Sequence, residues 1–273
     1  MRYKNVSSAS NQILSYFNRK DQMFFTFSEA MEAMPNSSHS ALKQLLSDMA
    51  KRGLLLRLRR GLYCLIPFEK DADLYMPNWH LAATYLSGSQ KHYIGYYSAL
   101  QIHDLISQPA LKEQIVIAKQ MRPSLLKIKD VAFQFIYHNE NHFFGYQKVW
   151  IDNYHQVYCS DLEKTLVDCL FKPEYAGGIV EVAKAIYLSR KAINFDKLLD
   201  YTIRFKSQAV IKRLGFLLDL LEINTDVISS LQSLRTSTYS ILDTELPKSG
   251  KRISRWRIQQ NLDRETILSA IYT

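Results

Sequence analysis

Three arginines lie close together at a predicted hairpin turn, in the stretch RGLLLRLRRGLYCLIP that spans residues 52–67. Arg57, Arg59 and Arg60 come directly before Gly61, and glycine tolerates the left-handed backbone that tight turns require. Guanidinium groups bind phosphate oxygens through paired N–H donors. The residue types and their spacing therefore indicate a site for a polyanion.

The neighbouring elements indicate how this turn is positioned. The apolar runs 54–56 and 62–65 predict the two strands of a hairpin. Upstream, apolar residues recur at helical spacing at Leu42, Leu45, Leu46, Met49 and Ala50. A helix that leads into a cationic hairpin is typical of a winged helix-turn-helix domain, whose recognition helix reads the major groove. We therefore expect double-stranded DNA as the partner.

The predicted DNA contacts form two groups. The first is the start and polar face of the recognition helix, with Ser37, Ser38, His39, Ser40, Lys43 and Gln44. The second comprises Arg57, Arg59 and Arg60, which we expect to bind phosphates or to enter the minor groove, with Lys51 and Arg52 assisting them. The alternative interpretation is that these residues are helix caps and ordinary solvated surface.

Capping signals predict three helices before the hairpin. The first helix starts near residues 8–11 and ends near Asn18. Thr26 and Glu29 match a capping box and predict a short second helix. Asn36 and Ser37 are predicted N-caps of the third helix, which Gly53 would end. These three helices and the hairpin together form the predicted N-terminal domain.

The charge distribution agrees with a polyanionic partner for this domain. The chain has 273 residues and a net charge of +9. Residues 1–70 hold 11 Lys and Arg against 5 Asp and Glu, whereas the remaining residues hold 24 against 21. A local basic excess favours nucleic acid as the partner of that part of the chain. We therefore predict a DNA-binding domain at 1–70 and a second domain at 71–273.

The second domain has a mixed pattern. Residues 68–78 read as a connector, followed by predicted helices at 97–105, 161–170, 178–190, 195–205 and 209–221, and by predicted strands at 114–118, 131–138, 144–151 and 155–159. Segments 238–242 and 252–258 are predicted to be extended and to rejoin the sheet. The fold class expected is α+β, with an N-terminal winged helix-turn-helix domain and a larger mixed α/β domain.

The cysteines and the N-terminus indicate a cytoplasmic protein. Cys64, Cys159 and Cys169 are odd in number and lie in apolar runs, which suits reduced core thiols. The first residues lack the apolar segment of a signal peptide, and no run is long enough to span a membrane.

Possible catalytic groups are few. Asp161, Glu163 and Lys164 resemble a nuclease cluster, but Ser160 and Glu163 also match a capping box, the interpretation we favour. His138 and His142 have a metal-like spacing that no further ligand completes. The glycine pair at 177–178 lacks the fuller pattern of a phosphate-binding loop. We expect no enzymatic activity, no metal and no cofactor.

A second basic surface is possible near the C-terminus. Its members are Lys248, Lys251, Arg252, Arg255 and Arg257. In an extended segment Arg255 and Arg257 would share one face, and Trp256 would point to the other. This face either contacts a polyanion or an acidic partner, or it is the charged edge of a sheet.

The order of several segments resembles a known family. The hairpin at 52–67 is followed by YIGYYSALQIH at 93–103, DLEKTLVDCL at 161–170, AGGIVEVAKAI at 176–186 and SRWRIQQN at 254–261. Together they resemble the AbiEi-type antitoxins, transcriptional regulators of abortive-infection, or type IV toxin–antitoxin, systems of phage defence. The resemblance implies repression of the protein's own operon through inverted repeats in the promoter. It also implies that the protein counteracts a nucleotidyltransferase-type toxin.

Two other functions stay open on the residues alone. The N-terminal domain could be a protein-docking module, because a fold does not determine a function. Alternatively, the chain could be a DNA-targeted nuclease or nucleotide-modifying enzyme.

Overall fold

The computed structural model describes residues 4–106, 108 and 112–271, and within them eleven α-helices and twelve strands form. The chain divides into two compact units. The first comprises Met1–Ser89 and Ile128–Asp130, and the second comprises Gln90–Lys127 and Val131–Thr273. The first is a small helical unit with a short sheet, and the second is a larger mixed unit. The predicted α+β class is confirmed.

The elements of the first unit follow the order of a winged helix-turn-helix domain. They are α1 Ser8–Asn18, β1 Phe24–Thr26, α2 Phe27–Ala33, α3 His39–Lys51, β2 Leu55–Arg59, β3 Leu62–Leu65 and α4 Trp79–Ser87. The three strands form an antiparallel sheet in the order β1-β3-β2. Its core joins the apolar faces of the helices to the sheet through Ile13, Phe17, Phe25, Leu42, Leu46, Met49 and Tyr63.

Local capping explains where these helices begin. The predicted capping box is confirmed: Glu29 accepts from the Thr26 amide at 2.7 Å, and Thr26 accepts from the Glu29 amide at 3.2 Å. The predicted caps of α3 were wrong by one or two residues, because Ser38 is the N-cap and accepts from the Ala41 amide. At the other end Gly53 takes the left-handed φ of +75° that ends the helix.

The first unit extends past the residue-70 boundary that the sequence indicates. Residues 68–78 hold no helix or strand in the structure, as expected of a connector, but α4 follows and packs back on the same unit. The ring of Tyr85 on α4 stacks on Phe24 of β1 with 4.4 Å between centroids. Stacking of this kind adds to the area that the two rings bury, so α4 belongs with the first unit.

The second unit is built on a six-stranded mixed sheet covered by helices. Its elements are β4 His92–Ile94, α5 Tyr96–Ile102, β5 Lys112–Ile117, β6 Leu125–Ile128, β7 Val131–Tyr137, β8 Tyr146–Trp150, β9 Gln156–Ser160, α6 Leu162–Phe171, α7 Ile179–Ser189, α8 Phe195–Phe205, α9 Gln208–Leu220, α10 Val227–Leu234, β10 Ser240–Ile241, β11 Lys251–Ile253, β12 Ile258–Gln260 and α11 Arg264–Ser269. The strand order is β6-β7-β5-β4-β9-β8. The four strands and five helices predicted for this domain are confirmed in type, with α8 at its predicted bounds.

The C-terminal extended segments do not rejoin this sheet. Strands β10, β12 and β11 form a separate three-stranded sheet, so that prediction was wrong. Residues 254–257 form a turn between β11 and β12, and the indole of Trp256 is buried against Gly215 of α9. The packing of the indole against a distant helix accompanies the turn in the chain. The pattern of neighbouring residues does not reveal this packing.

Two features bear on the earlier expectations about thiols and membranes. Cys64, Cys159 and Cys169 are free and buried, and burial raises the pKa of the Cys64 thiol to about 12. Thiols held in the protonated form are poor nucleophiles. Among the described residues, no helix has the length and apolar character that a membrane span requires.

Candidate nucleic-acid interface

A basic groove lies between α3, the predicted recognition helix, and the β2–β3 hairpin. We call this hairpin the wing. The volume of the groove is about 1010 Å³. The lining consists of Phe27, His39, Lys43, Ser47, Ala50, Lys51, Arg57, Arg60, Gly61 and Tyr63. Across the part of the chain that the structure describes, no carboxylate pairs with Lys43, Arg57 or Arg60. The groove therefore presents uncompensated positive charge to a ligand.

One face of α3 supplies four of the ten lining residues. His39, Lys43, Ser47 and Lys51 follow one another at intervals of four residues, so they lie one above the other on the same side of the helix. The opposite face buries Leu42, Leu46 and Met49 in the core. Because these apolar residues are buried in the core, α3 is held in the orientation in which its polar row faces the wing.

A β-bulge determines which arginines of the wing face the groove. Arg57 pairs with Tyr63, whereas Arg59 pairs with Leu62, so the register shifts by one residue between them. Consecutive residues of β3 point to opposite faces of the sheet, so the two arginines also lie on opposite faces. Arg57 and Tyr63 line the groove, and Arg59 does not. The guanidinium of Arg59 lies instead near Gly88, 3.6 Å from where a Cβ would be.

The turn of the wing carries the remaining groove arginine. Arg60 lies at the tip beside Gly61, whose φ is +78°. The Gly61 carbonyl accepts from the amide of Phe27 at 2.9 Å, which ties the tip to the start of α2. Arg60 therefore lies on a backbone that is held in place.

Other predicted contact residues are engaged inside the first unit. Arg52 donates to the Asn5 carbonyl at 2.9 Å and to Ser10 Oγ at 2.8 Å, which joins the end of α3 to the start of α1. Gln44 donates to both oxygens of Asp48, at 3.0 and 3.1 Å. The side chains of Arg52 and Gln44 are therefore occupied by contacts within the protein in this structure.

The remaining predicted residues lie at the two ends of α3, at or near the surface. Ser38 and Ser40 are exposed and share a hydroxyl contact of 3.1 Å, while Ser37 is half-buried before the helix. Lys51 pairs with Asp48 at 3.6 Å. The side chain of His39 is positioned by an aromatic contact, because its ring packs on that of Phe27 with 4.9 Å between centroids.

Two groove residues with polar side chains, Ser47 and Tyr63, were missed by the sequence prediction. Ser47 continues the four-residue spacing of His39 and Lys43, and this spacing was the signal that could have revealed it. Tyr63 carries no such signal, because only its pairing with Arg57 across the hairpin shows that it faces the groove.

The structure separates the members of the C-terminal basic group. Arg255 pairs with Asp219 at 2.8 Å, and the same carboxylate accepts from the Trp256 indole at 2.5 Å. Arg252 and Arg257 flank the ring of Tyr239 at 5.3 and 5.5 Å, and Lys248 and Lys251 are exposed. The expectation that Arg255 and Arg257 share a face of an extended strand was wrong, because both lie in a turn.

The acidic residues near the start of α6 hold the fold together. Asp161, not Ser160, is the N-cap of α6 and accepts from the Lys164 amide at 2.9 Å. Glu163 accepts from the Asn194 amide at 2.9 Å and pairs with Lys197 at 2.8 Å. The predicted role of Glu163 in a capping box was therefore wrong. These contacts account for both carboxylates without a metal ion.

Lys164 lies in a buried polar cluster instead. It is fully buried, pairs with Asp168, and donates to the Tyr93 hydroxyl at 2.8 Å, while the same hydroxyl donates to Asp168 at 2.9 Å. Burial lowers the pKa of Lys164, and the facing carboxylate of Asp168 opposes that shift. Three aromatic rings, those of Tyr93, Phe144 and Phe205, lie 5.1–5.2 Å from its ammonium group.

The two histidines contact protein groups in the same region. The Tyr96 hydroxyl lies 2.7 Å from Nε2 of His138, and the Phe205 carbonyl lies 3.1 Å from Nε2 of His142. Burial is the main cause that lowers the pKa of His138, to about 2, with Lys164 adding to it. Within the described ranges no group of three or more His, Cys, Asp or Glu side chains could hold a metal ion.

The glycine pair before α7 also meets a protein group. Gly177 and Gly178 have φ values of +82° and +88°, which only glycine adopts readily. The first amide of the helix, that of Ile179, donates to the Asp243 carboxylate at 2.8 Å. A side-chain carboxylate thus lies where a phosphate-binding loop would hold its ligand.

Comparison with known proteins finds a similar fold for the whole chain and a family match for its N-terminal region. The chain has the fold of the RV2827C protein from Mycobacterium tuberculosis, with a TM-score of 0.74, 13% sequence identity, and coverage of 99% of this chain and 97% of that one. No curated protein sequence matches the chain. Residues 12–66, from α1 to β3, match the family model described as "Transcriptional regulator, AbiEi antitoxin". The predicted resemblance is confirmed for this region, which is similar to the AbiEi antitoxin transcriptional regulators.

Proposed function

We propose that this protein is a DNA-binding antitoxin that represses its own toxin–antitoxin operon by binding inverted repeats in the promoter. The observation that carries the proposal is the basic groove between α3 and the wing. The family match of residues 12–66 supports a transcriptional regulator, and such regulators bind DNA.

In this proposal α3 enters the major groove and the wing lies along the phosphate backbone. His39, Ser40 and Lys43 are exposed on the first turns of α3, where recognition helices contact base edges. Arg57 and Arg60 bind phosphates that lie along the groove, since neither has a protein carboxylate as partner among the described residues. Ser37, Ser38 and Lys51 add contacts at the ends of α3. Gln44 and Arg52 support α3 through contacts within the first unit, and Arg59 faces away from the groove.

The double substitution Arg57→Ala and Arg60→Ala tests the groove. We expect affinity for the protein's own promoter fragment to fall about tenfold per arginine, because each loses a charge-assisted hydrogen bond. The slope of log K against log salt should decrease in magnitude by about 1.8, since each phosphate contact contributes about 0.9. Fluorescence anisotropy titrations at several salt concentrations measure both quantities.

A matched control separates the groove from general charge. Arg19 is exposed at the end of α1 and does not line the groove. Arg19→Ala removes one positive charge from the same unit and should leave the affinity within about twofold, whereas Arg57→Ala or Arg60→Ala alone should lower it about tenfold. If the groove variant kept both affinity and slope, the wing would not bind DNA. A first unit that bound no duplex at low salt would favour a protein-docking role instead.

In this proposal the antitoxin activity counteracts a nucleotidyltransferase-type toxin encoded in the same operon. We expect co-expression of this chain to restore growth of cells that express the toxin. We expect the Arg57→Ala, Arg60→Ala variant to restore growth equally well, because its substitutions lie in the DNA groove. Colony counts under separate inducible promoters measure the rescue. Failure of the unaltered chain to rescue growth would refute the antitoxin part of the proposal alone.

A further inference from the structure

Four cationic side chains of the second unit gather at the ends of α9 and α10 and around one tyrosine. They are Lys212 on α9, Arg235 at the end of α10, Arg252 on β11 and Arg257 in the turn before β12. Arg252 and Arg257 flank Tyr239, and Lys212 binds the segment just before it. We call these four residues and Tyr239 the Tyr239 cluster.

Lys212 is a buried cation without an acidic partner. Its side chain is 0% exposed, and its ammonium group donates to Thr236 Oγ1 at 3.0 Å, Thr238 O at 2.7 Å and Thr238 Oγ1 at 3.1 Å. Among the residues that the structure describes, no carboxylate forms an ion pair with it. Burial lowers the pKa of Lys212, and the charges of Arg235 and Arg257 lower it further. Like charges at a buried position are costly unless an anion accompanies them.

The two neighbouring arginines each have one donor without a partner among the described residues. Arg235 and Arg257 each bury an Nε atom that has no hydrogen-bond partner within the described residues. Arg257 uses its Nη1 to donate to the Tyr239 hydroxyl at 3.3 Å. Buried guanidinium donors nearly always have an acceptor in folded proteins. Both residues are half-exposed and have no carboxylate partner among the described residues, so each guanidinium group keeps a positive charge that an anion from outside the chain can offset.

We propose that the Tyr239 cluster binds a phosphate group, which free phosphate, a nucleotide or a nucleic-acid strand can supply. A phosphate offers several acceptor oxygens and carries up to two negative charges. These charges offset those of Lys212 and the arginines, and the oxygens accept from the half-exposed guanidinium groups. The neighbouring Arg255 takes no part, because Asp219 already neutralises it.

The test uses the full-length chain with Arg235→Gln and Arg257→Gln. Both arginines are half-exposed, so their replacement disturbs the core less than a change at buried Lys212 would. We expect inorganic phosphate to bind the unaltered protein saturably with one site in isothermal titration calorimetry. Affinity should fall about tenfold for each substitution, since each removes a charge-assisted hydrogen bond. Thermal melts establish that the variants are folded.

The matched control removes the same charge from exposed neighbours of the cluster. Lys248→Gln with Lys251→Gln should change phosphate affinity by less than twofold, and so should the groove variant Arg57→Ala, Arg60→Ala. An equal loss in the lysine variant would show diffuse attraction and overturn the proposal. Phosphate binding that survives both arginine substitutions would overturn it as well.

Parallel titrations identify the source of the phosphate group. A nucleoside monophosphate and a short single-stranded oligonucleotide of arbitrary sequence are compared with inorganic phosphate. Tighter binding of either, lost in the arginine variants, supports the site and names the source. Absence of saturable binding for all three probes overturns the proposal, while the operator titrations of the first unit are unaffected.

Discussion

Replacing Asp168 with alanine is expected to lower the free energy of unfolding by about 3–5 kcal/mol. The substitution leaves the ammonium group of Lys164 fully buried, with the hydroxyl of Tyr93 as its remaining polar partner among the contacts described. Water is excluded from the site, so the charge must either be neutralised or drive the region open. Urea denaturation followed by circular dichroism measures the loss.

Two comparisons make this prediction specific to the buried pair. Lys164→Met combined with Asp168→Leu should recover most of the lost stability, because well-packed apolar residues often replace a buried ion pair at little cost. Arg264→Ala, which removes an exposed pair with Glu222, should change stability by about 0.5 kcal/mol or less. A loss below about 1 kcal/mol for Asp168→Ala would contradict the idea that Lys164 depends on this carboxylate.

Gly215→Ala is expected to destabilise the protein by about 2–3 kcal/mol or more, although alanine normally favours a helix. A Cβ at Gly215 would lie 2.0 Å from Cζ3 of Trp256, with two more ring atoms at 2.3 and 2.4 Å. The indole must move, which also breaks its hydrogen bond to Asp219. Thermal melts measure the loss, and near-ultraviolet circular dichroism reports the change around the indole.

A second-site change shows whether the clash is the cause. Trp256→Leu alone should destabilise the protein, but Gly215→Ala should cost little when Trp256 is already leucine. Such non-additivity is expected of residues in direct contact. If Gly215→Ala raised the melting temperature instead, helix propensity would outweigh packing at this position.

Local signals predicted most elements because their causes are local. Helix α8 keeps its predicted bounds because Asn194 caps it and its apolar residues repeat at helical spacing. The capping box of α2 formed as predicted because Thr26 and Glu29 need only each other. The wing and its arginines were also predicted from local signals, the two apolar runs and the glycine at the turn between them.

Long-range contacts account for what the sequence did not reveal. Strand β1 has only three residues and forms because β3, far along the chain, pairs with it. The Ser160–Glu163 pattern failed because Glu163 binds Lys197 and Asn194, more than thirty residues away. Lys212 carries no local sequence signal and joins the Tyr239 cluster only through the packing of α9 and the segment before β10.

The β-bulge in the wing places two nearby arginines under different evolutionary constraints. In the proposed function position 57 contacts DNA, so its variation among relatives should follow changes in their operators. Position 59 faces away and is free to vary with the surroundings of α4. When functional residues are transferred between related chains, the position opposite Tyr63 across the hairpin is the one to compare, because spacing along the strand alone would equate the two arginines.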